Sequence, residues 1–251
     1  MRCLLLLAAL ALPVSAQLTQ IPAEELPPLP TYHIKRAVKP PLIDGQLSPG
    51  EWDRAETVDL EFWWPKQTGP RERTTVRLLW DDVALYVGYD CVDTDLTAIY
   101  TQRDDPTYKD DVCEIFLMAD PRRKPTSYIG LEMNARAVMY DYAYAIGAAL
   151  FRRYDLSGWL LATRLDGTLN MRGDTDRGFQ LEVAVPFRNF DDLTSPLPPP
   201  PGTTWRAQIC RWNGTEPHRA LSLWTHSGRT AADPHNPERF GTLVFDGEEP
   251  K

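Results

Sequence analysis

Short apolar runs separated by turn-forming stretches fill most of this chain. Five of the runs each carry one acid at a similar place, namely Asp90, Glu114, Glu132, Asp141 and Glu182. Runs of this length, rich in β-branched and aromatic residues, are typical of strands, so the pattern predicts a many-stranded antiparallel β domain. Because successive strand side chains point to opposite faces, the acids are expected to collect on one polar surface opposite an apolar interior.

The apolar runs set the predicted strand positions. A capping-box pattern from Ser48 to Glu51, with Pro49 at the first helical position, adds one short helix over 49–55. The strands are predicted near 33–38, 74–80, 85–92, 112–119, 127–134, 137–143, 159–164, 179–185, 204–211, 221–224 and 241–245.

Composition agrees with one large folded unit. The chain has 251 residues, of which 43% are hydrophobic and 25% charged, as in ordinary globular proteins, so a second full domain is not expected. The formal net charge is -8, and no Lys/Arg block interrupts the sequence. A phosphate surface requires clustered cations, so neither a nucleic acid nor an anionic membrane is an expected partner.

The N-terminus has the pattern of a signal peptide over residues 1–16. Arg2 is followed by an apolar stretch over 4–12 and by small residues over 14–16. We therefore expect a secreted or periplasmic protein. Residues 17–31 are rich in Pro and Glu without amphipathic periodicity, which predicts an extended tether, and 32–248 are predicted to form the folded domain.

Removal of the signal peptide, which contains Cys3, leaves Cys91, Cys113 and Cys210. An exported protein permits a disulfide between Cys91 and Cys113, although free cysteines packed as small hydrophobic residues are the preferred interpretation. A zinc site is not indicated, because the chain has no CxxC motif and its histidines are scattered.

Several short motifs follow one another in an order that resembles the family 9 carbohydrate-binding modules. The resemblance covers about residues 34–245, and it depends on the order and spacing of motifs that are individually short. They are IDGQL with EW (43–52), LWDD with LYV (79–87), DVCEIFL (111–117), LEMN (131–134), LEVAVPF (181–187), WR (205–206), LW (223–224) and PERFG (237–241).

That resemblance implies an all-β, antiparallel jelly-roll-like β-sandwich of the wider DOMON type, with one or two short helices. It also implies structural calcium ions and a sugar slot near the strand ends. The chemistry is reasonable in itself, since the apolar faces of a sugar ring stack on aromatic side chains while its hydroxyls need oriented polar partners. The expected partner is a mono- or oligosaccharide, or the end of a polysaccharide.

The resemblance also assigns candidate binding residues. The family's hydrogen-bonding glutamate corresponds to Glu114, and its first clamp tryptophan corresponds to Tyr108. The second clamp tryptophan corresponds to a position near Pro234 and His235. Where the family has an arginine two residues before a strand asparagine, this chain has Glu132, which reverses the charge and is expected to alter the sugar preference.

Further candidates come from residue chemistry. Arg211 can donate to sugar hydroxyls, and Trp224 is a possible lining residue, although pairing with acids and burial in the core are their ordinary roles. Loop aspartates offer the hard oxygen ligands that calcium prefers, without the EF-hand spacing; Asp93, Asp95 and Asp111 are the candidates.

The leading hypothesis is a secreted, non-catalytic carbohydrate-binding protein that supports polysaccharide breakdown. One alternative is a glycoside hydrolase that uses two of the strand carboxylates. The other is a haem-binding DOMON-type domain, with Met133 or Met139 and His226 or His235 as iron ligands.

Overall fold

The computed structural model of the protein describes residues 19–123, 126–145, 150–151 and 154–247, which contain β-strands and short 3₁₀ helices. The predicted signal peptide lies outside these residues. The strands are β1 (Thr31–Arg36), β2 (Thr57–Asp59), β3 (Thr74–Trp80), β4 (Ala84–Val92), β5 (Val112–Met118), β6 (Ser127–Asn134), β7 (Met139–Ala145), β8 (Leu150–Phe151), β9 (Leu160–Asp166), β10 (Gly178–Pro186), β11 (Thr204–Thr215), β12 (His218–Leu223) and β13 (Gly241–Phe245). The 3₁₀ helices are Ala23–Glu25, Thr107–Lys109, Phe187–Phe190 and Pro237–Arg239.

The strands form one curled path in the order β8-β7-β6-β5-β11-β13-β1-β3-β4-β10-β9, which gives the predicted all-β sandwich. We call β8-β7-β6-β5-β11-β13, with β12 on β11, sheet I, and β3-β4-β10-β9, with β2 on β3, sheet II. The strand β1 joins them, because its residues 31–34 pair with β13 and its residues 35–36 pair with β3. Both of these pairings are parallel, whereas the pairings within each sheet are antiparallel.

Sheet I is covered by apolar side chains on both faces. On β5, Cys113, Ile115 and Leu117 point into the main core between the sheets, where they meet residues such as Leu78 and Val87 of sheet II. The alternate positions, including Phe116, join a second apolar cluster on the outer face. Every residue of β5 is therefore buried, and its polar side chain at Glu114 needs a specific environment.

The helix predicted over 49–55 is wrong, because this segment forms turns and bends. Gly50 has a φ of +88°, a left-handed conformation that interrupts a right-handed helix. Turn bonds run from Glu51 N to Ser48 O at 3.3 Å and from Ala55 N to Trp52 O at 3.0 Å. Trp52 packs on the outer face of sheet II, and its indole N–H donates to Glu182 at 2.8 Å.

The described part of the predicted tether lies against the loop that follows β12. Ile21 N donates to Gly228 O at 2.7 Å, and Thr230 N donates to Thr19 O at 3.0 Å. These bonds hold the segment along the domain, while the boundary between tether and domain stays a prediction. Among the described residues, no helix combines the length and the apolar character needed to cross a bilayer.

Cys91, Cys113 and Cys210 are free and buried, in agreement with the preferred interpretation. The sulfur atoms of Cys91 and Cys113 lie 3.5 Å apart on facing strands of the two sheets. They pack in the main core, and Cys210 packs in the cluster on the outer face of sheet I.

Candidate functional site

The five strand acids do not share one surface, which corrects the expectation from the sequence. Glu114 and Glu132 stand directly opposite each other on β5 and β6, on the outer face of sheet I. Asp141 is paired with Leu131, and therefore points to the other side of the sheet, where it accepts two bonds from Arg103 at 2.7 and 2.8 Å. The remaining two acids belong to sheet II.

A cleft of about 720 Å³ opens above Glu114 and Glu132. Its aromatic lining comprises Tyr108, Tyr140, Tyr142, Tyr144, Trp212 and His235. Its charged lining comprises Glu114, Glu132, Glu216, Asp233, Arg219 and Arg229. This volume and this mixture of rings and polar groups suit a small polar ligand with apolar faces.

A second depression of about 570 Å³ lies over sheet II, beside Gln46, Arg164 and Gln180. None of the buried, unpartnered polar atoms in the described part of the chain lines it, whereas Glu132 and Tyr142 contribute such atoms to the cleft over sheet I. Buried polar groups are normally hydrogen-bonded, so these two atoms leave the cleft over sheet I with capacity to bond an outside partner. We therefore take the sheet I cleft as the candidate site.

The floor of the cleft is a pair of nearly inaccessible carboxyl groups. Glu114 is 1% exposed and Glu132 is 4% exposed. Glu114 accepts a bond from the thiol of Cys210 at 3.1 Å. The Tyr142 hydroxyl lies beside Glu132 and interacts with it, but Oε2 of Glu132 has no partner at full hydrogen-bond geometry. Both groups thus keep bonding capacity that is directed to the cleft.

Burial sets the protonation of this pair. It raises the pKa of Glu114 to about 7, against the opposing effects of the Cys210 thiol and the Arg219 guanidinium. Burial, followed by the charge of Glu114, raises the pKa of Glu132 well above its usual value. Near neutral pH the pair therefore holds at least one proton, and it both donates and accepts hydrogen bonds.

One wall consists of tyrosines that alternate along β7. Tyr140 lies opposite Glu132, and Tyr142 lies opposite Gly130. A Cβ atom at Gly130 would come within 2.3 Å of the Tyr142 ring, so only glycine allows this ring to lie across β6. Tyr108, in the 3₁₀ helix Thr107–Lys109, is 40% exposed, and its ring centroid is 5.9 Å from that of Tyr140.

His235 is an exposed residue whose ring lines the cleft and packs against its wall. The ring is stacked on Phe116, with centroids 4.8 Å apart and planes inclined by 18°. Its Nδ1 lies 2.9 Å from the hydroxyl of Tyr128, and its backbone N–H donates to Asp233 at 2.9 Å. These contacts fix the imidazole in position, which is what a stacking surface for a ligand requires.

Arg219 supplies a positive charge near Glu114 without a salt bridge to it. Its guanidinium donates to the backbone carbonyls of Gly214 and Asp110 at 3.1 and 2.9 Å. It also lies over the ring of Trp212, 4.9 Å from the centroid. The side chain is held rigidly, so its charge acts on the cleft from a fixed point.

The structure brings four of the predicted binding residues together in this cleft, namely Tyr108, Glu114, Glu132 and His235. It places Arg211 elsewhere. Cys210 and Trp212 face the outer side of sheet I, so Arg211 between them points into the space between the sheets. There it is 1% exposed and donates to Asp93 at 2.6 Å.

Trp224 also lies away from the cleft. It is 8% exposed and belongs to the main core, and its six-membered ring fills the space where Gly241 has no side chain. Trp64 is likewise buried, in the outer cluster of sheet I.

The three aspartates predicted to bind calcium have different surroundings. Asp93 pairs with Arg211, and the two carboxylate oxygens of Asp111 accept backbone N–H groups at 2.7 and 2.6 Å. Asp95 is exposed. In this arrangement the carboxylates of Asp93 and Asp111 are occupied by a guanidinium and by backbone amides rather than by an ion. Calcium binding stays a prediction.

The haem alternative requires a methionine and a histidine on one side of the fold. Met133 and Met139 are cross-strand neighbours that point into the main core. His235 lies on the opposite face of the same sheet, in the cleft. His226 contacts the rings of Trp63 and Trp64 instead. The structure therefore does not bring these proposed ligands together.

Sequence reasoning did not identify the tyrosine wall, Trp212 or Arg219. A signal was present in the run VMYDYAY, where tyrosines at alternate positions 140, 142 and 144 must share one strand face. Asp141, between two of these tyrosines, points to the opposite face of the strand. Trp212 and Arg219 have no comparable sequence signal, because their places depend on how β11 and β12 pair.

Most of the chain matches one known protein family. Residues 43–248 match the family described as carbohydrate family 9 binding domain-like. Exoglucanase XynX of Acetivibrio thermocellus is 26% identical over 157 residues, which are 62% of this chain and 12% of that protein. The chain therefore spans about an eighth of that relative's length.

Solved structures share the fold at low sequence identity. A Bacteroides uniformis protein proposed to bind carbohydrate matches with a TM-score of 0.71 and 15% identity, over 87% of this chain and 100% of that chain. A family 9 carbohydrate binding module from Caldicellulosiruptor kristjanssonii in complex with cellotriose matches with a TM-score of 0.57 and 17% identity, over 87% of this chain and 95% of that chain. A family 9 module from the same organism in complex with glucose matches with a TM-score of 0.57 and 18% identity, over 87% of this chain and 98% of that chain.

Proposed function

We propose that this chain, which belongs to the carbohydrate family 9 binding domain-like family, binds a saccharide in the cleft over Glu114 and Glu132 without transforming it. The observation that carries this proposal is a buried carboxyl pair, with an unpartnered oxygen on Glu132, beneath an aromatic wall. Two of the structures with this fold are family 9 modules in complex with cellotriose and glucose, which supports the ligand class.

The binding mode follows from the two kinds of surface in the cleft. The C–H faces of a pyranose ring stack on Tyr108, on His235 and on the wall of tyrosines. The hydroxyls at the ring edge reach Glu114 and Glu132, which accept hydrogen bonds where they are ionised and donate where they are protonated. The hydroxyl of Tyr142, which lies beside Glu132, supplies a further polar group at this end of the cleft.

Hydrolysis is the weaker proposal because of where the two carboxyl groups lie. Glycoside hydrolases hold their acid and their nucleophile or base on either side of the scissile bond. Glu114 and Glu132 instead stand side by side on one sheet face, at the bottom of the cleft. They are placed to contact one edge of a ligand together, as in a binding site.

We extend the proposal to the protein's setting. The predicted signal peptide over 1–16 supports export, and the match to a segment of an exoglucanase supports a role near polysaccharide breakdown. In that setting the domain keeps its protein at a polysaccharide chain or chain end, while other proteins carry out the cleavage.

Titration calorimetry against glucose, cello-oligosaccharides and xylo-oligosaccharides tests the proposal. Truncation of Tyr108 to alanine is expected to weaken binding about tenfold, which corresponds to about 1.4 kcal/mol for one lost stacking contact. The matched control is Ile99→Ala, since Ile99 is an exposed apolar side chain outside the cleft. Absence of binding to every sugar, or equal effects of both variants, contradicts the proposal.

A further inference from the structure

The cleft contains more acidic than basic side chains. Glu114, Glu132, Glu216 and Asp233 line it, against only two cations. Arg229 is paired with Asp233 at 3.7 Å, and Arg219 donates to backbone carbonyls and covers Trp212. In the described part of the chain, no ion pair reaches either glutamate on the floor.

A buried carboxylate without a counter-ion is unfavourable, and Glu114 and Glu132 face each other on neighbouring strands. The free protein relieves the repulsion by retaining protons on the pair. A sugar hydroxyl satisfies a hydrogen bond to Oε2 of Glu132, but it supplies no charge. A cationic group on the ligand supplies both the hydrogen bond and the positive charge, and it is also attracted to the faces of the surrounding rings.

We propose that the saccharide preferred by this cleft carries a protonated primary amine, which lies between Glu114 and Glu132. The expected ligands are glucosamine residues and β-1,4-linked glucosamine oligomers with a free amino group. This inference rests on the proposed saccharide site and names its ligand class. N-acetylated sugars, which have no positive charge, are disfavoured because they leave the buried carboxyl groups without a counter-ion.

This binding mode predicts the direction in which the affinity changes with pH. An ammonium group favours the ionised carboxylates, so binding releases the protons that the free pair holds, and the affinity increases as the pH rises from 5 to 7. The contributions of the other titratable or charged side chains around the pair can be measured by mutation. They are Cys210, Tyr108, Tyr140, Tyr142, Tyr144, Glu216, Arg219, Arg229, Asp233 and His235. A neutral saccharide bound by the protonated pair shows no such proton release.

The test is calorimetry on the full chain with matched trimers of glucosamine, N-acetylglucosamine and glucose. At pH 7 we expect the glucosamine trimer to bind at least tenfold more tightly than the other two, with proton release detected by comparing buffers of different ionisation enthalpy. Glu132→Gln is expected to remove the preference, and the exposed Glu238→Gln outside the cleft is expected to keep it. The ratio of affinities within one variant does not depend on how much of that variant is folded.

The outcomes separate the two proposals. Binding of the glucose trimer without a preference for the amine overturns the amine inference and leaves the saccharide site standing. Failure of all three trimers overturns the saccharide site itself. Equal affinity for a simple diamine such as putrescine overturns the claim that the ligand is a sugar, and persistence of the preference in Glu132→Gln overturns the role given to that residue.

Discussion

The role of each residue around β11 depends on the face of the strand that it occupies. Cys210 contacts Glu114 on the cleft side, while Arg211, one position further, is enclosed between the sheets. There it donates to Asp93, to the Thr74 hydroxyl at 3.0 Å and to a backbone carbonyl at 2.8 Å. A residue that resembles a sugar ligand in the sequence is thus a structural ion-pair partner.

The substitution Arg211→Met tests this structural role. It leaves the carboxylate of Asp93 buried without its partner, so we expect the free energy of unfolding to fall by about 3–5 kcal/mol in denaturant titrations at pH 7. The loss is expected to shrink at acidic pH, where Asp93 takes up a proton, because burial already raises its pKa.

The control for this prediction is Arg177→Met. Arg177 pairs with Asp166 on the surface, where solvent screens the interaction, so little change in stability is expected. An equal loss in both variants would show that Arg211 contributes no more than an exposed ion pair.

At the scale of elements, the cleft depends on how closely β6 and β7 approach. The Tyr142 ring lies over Gly130, and this position keeps its hydroxyl beside Glu132. Gly130→Ala introduces a Cβ 2.3 Å from the ring, so the tyrosine has to move. We expect stability to fall by about 1–3 kcal/mol and saccharide affinity to decrease, measured by thermal unfolding and calorimetry.

Two comparisons isolate this contact. Gly247→Ala is the matched control, because a Cβ there meets its nearest neighbour at an ordinary 3.4 Å. In the double variant Gly130→Ala/Tyr142→Ala the clash no longer exists, so the stability losses of the single variants are expected not to add. Strict additivity would show that Gly130 and Tyr142 act independently.

The strands were predictable from the sequence because their apolar runs are bounded by turn residues. The predicted bounds 127–134 and 241–245 coincide with β6 and β13. The predicted helix over 49–55 failed because a capping pattern does not reveal the left-handed conformation of Gly50. The parallel pairing of β1 could not be predicted from the sequence either, because its partners β13 and β3 lie in distant segments of the chain.

The site was predictable only in part, and register explains the limit. A shift of one residue moves a side chain to the other face of a sheet, as the neighbours Tyr140 and Asp141 show. The resemblance to family 9 modules selected Tyr108, Glu114 and Glu132, and the structure places all three in one cleft, while their role in binding stays a prediction. Residue chemistry alone did not distinguish the outward acids from the inward one.

For the whole molecule, buried acids give stability an unusual dependence on pH. Burial raises the pKa of Asp111 and Glu114 to about 7 and that of Asp141 to about 6. The pKa of Glu132 and Glu182 is raised for the same reason. Between the unfolded value near 4 and these folded values, the native protein binds more protons than the unfolded chain, so stability falls as the pH rises.

We therefore expect the thermal midpoint to be higher at pH 5 than at pH 8, by roughly 5 °C for a domain of this size. His226 and His235 act in the opposite direction, because burial lowers the pKa of both and favours the neutral rings at higher pH. The carboxyl groups with raised pKa outnumber these two histidines, so their sign decides the slope.

The double variant Glu114→Gln/Glu132→Gln removes two of these acids and is expected to flatten the profile between pH 5 and 8. The exposed Asp166→Asn is expected to leave it unchanged, because Arg177 lowers the pKa of Asp166 to below this window. A midpoint that rises with pH in the wild type, or an unchanged slope in the double variant, would mean that the cleft glutamates are ionised in the free protein.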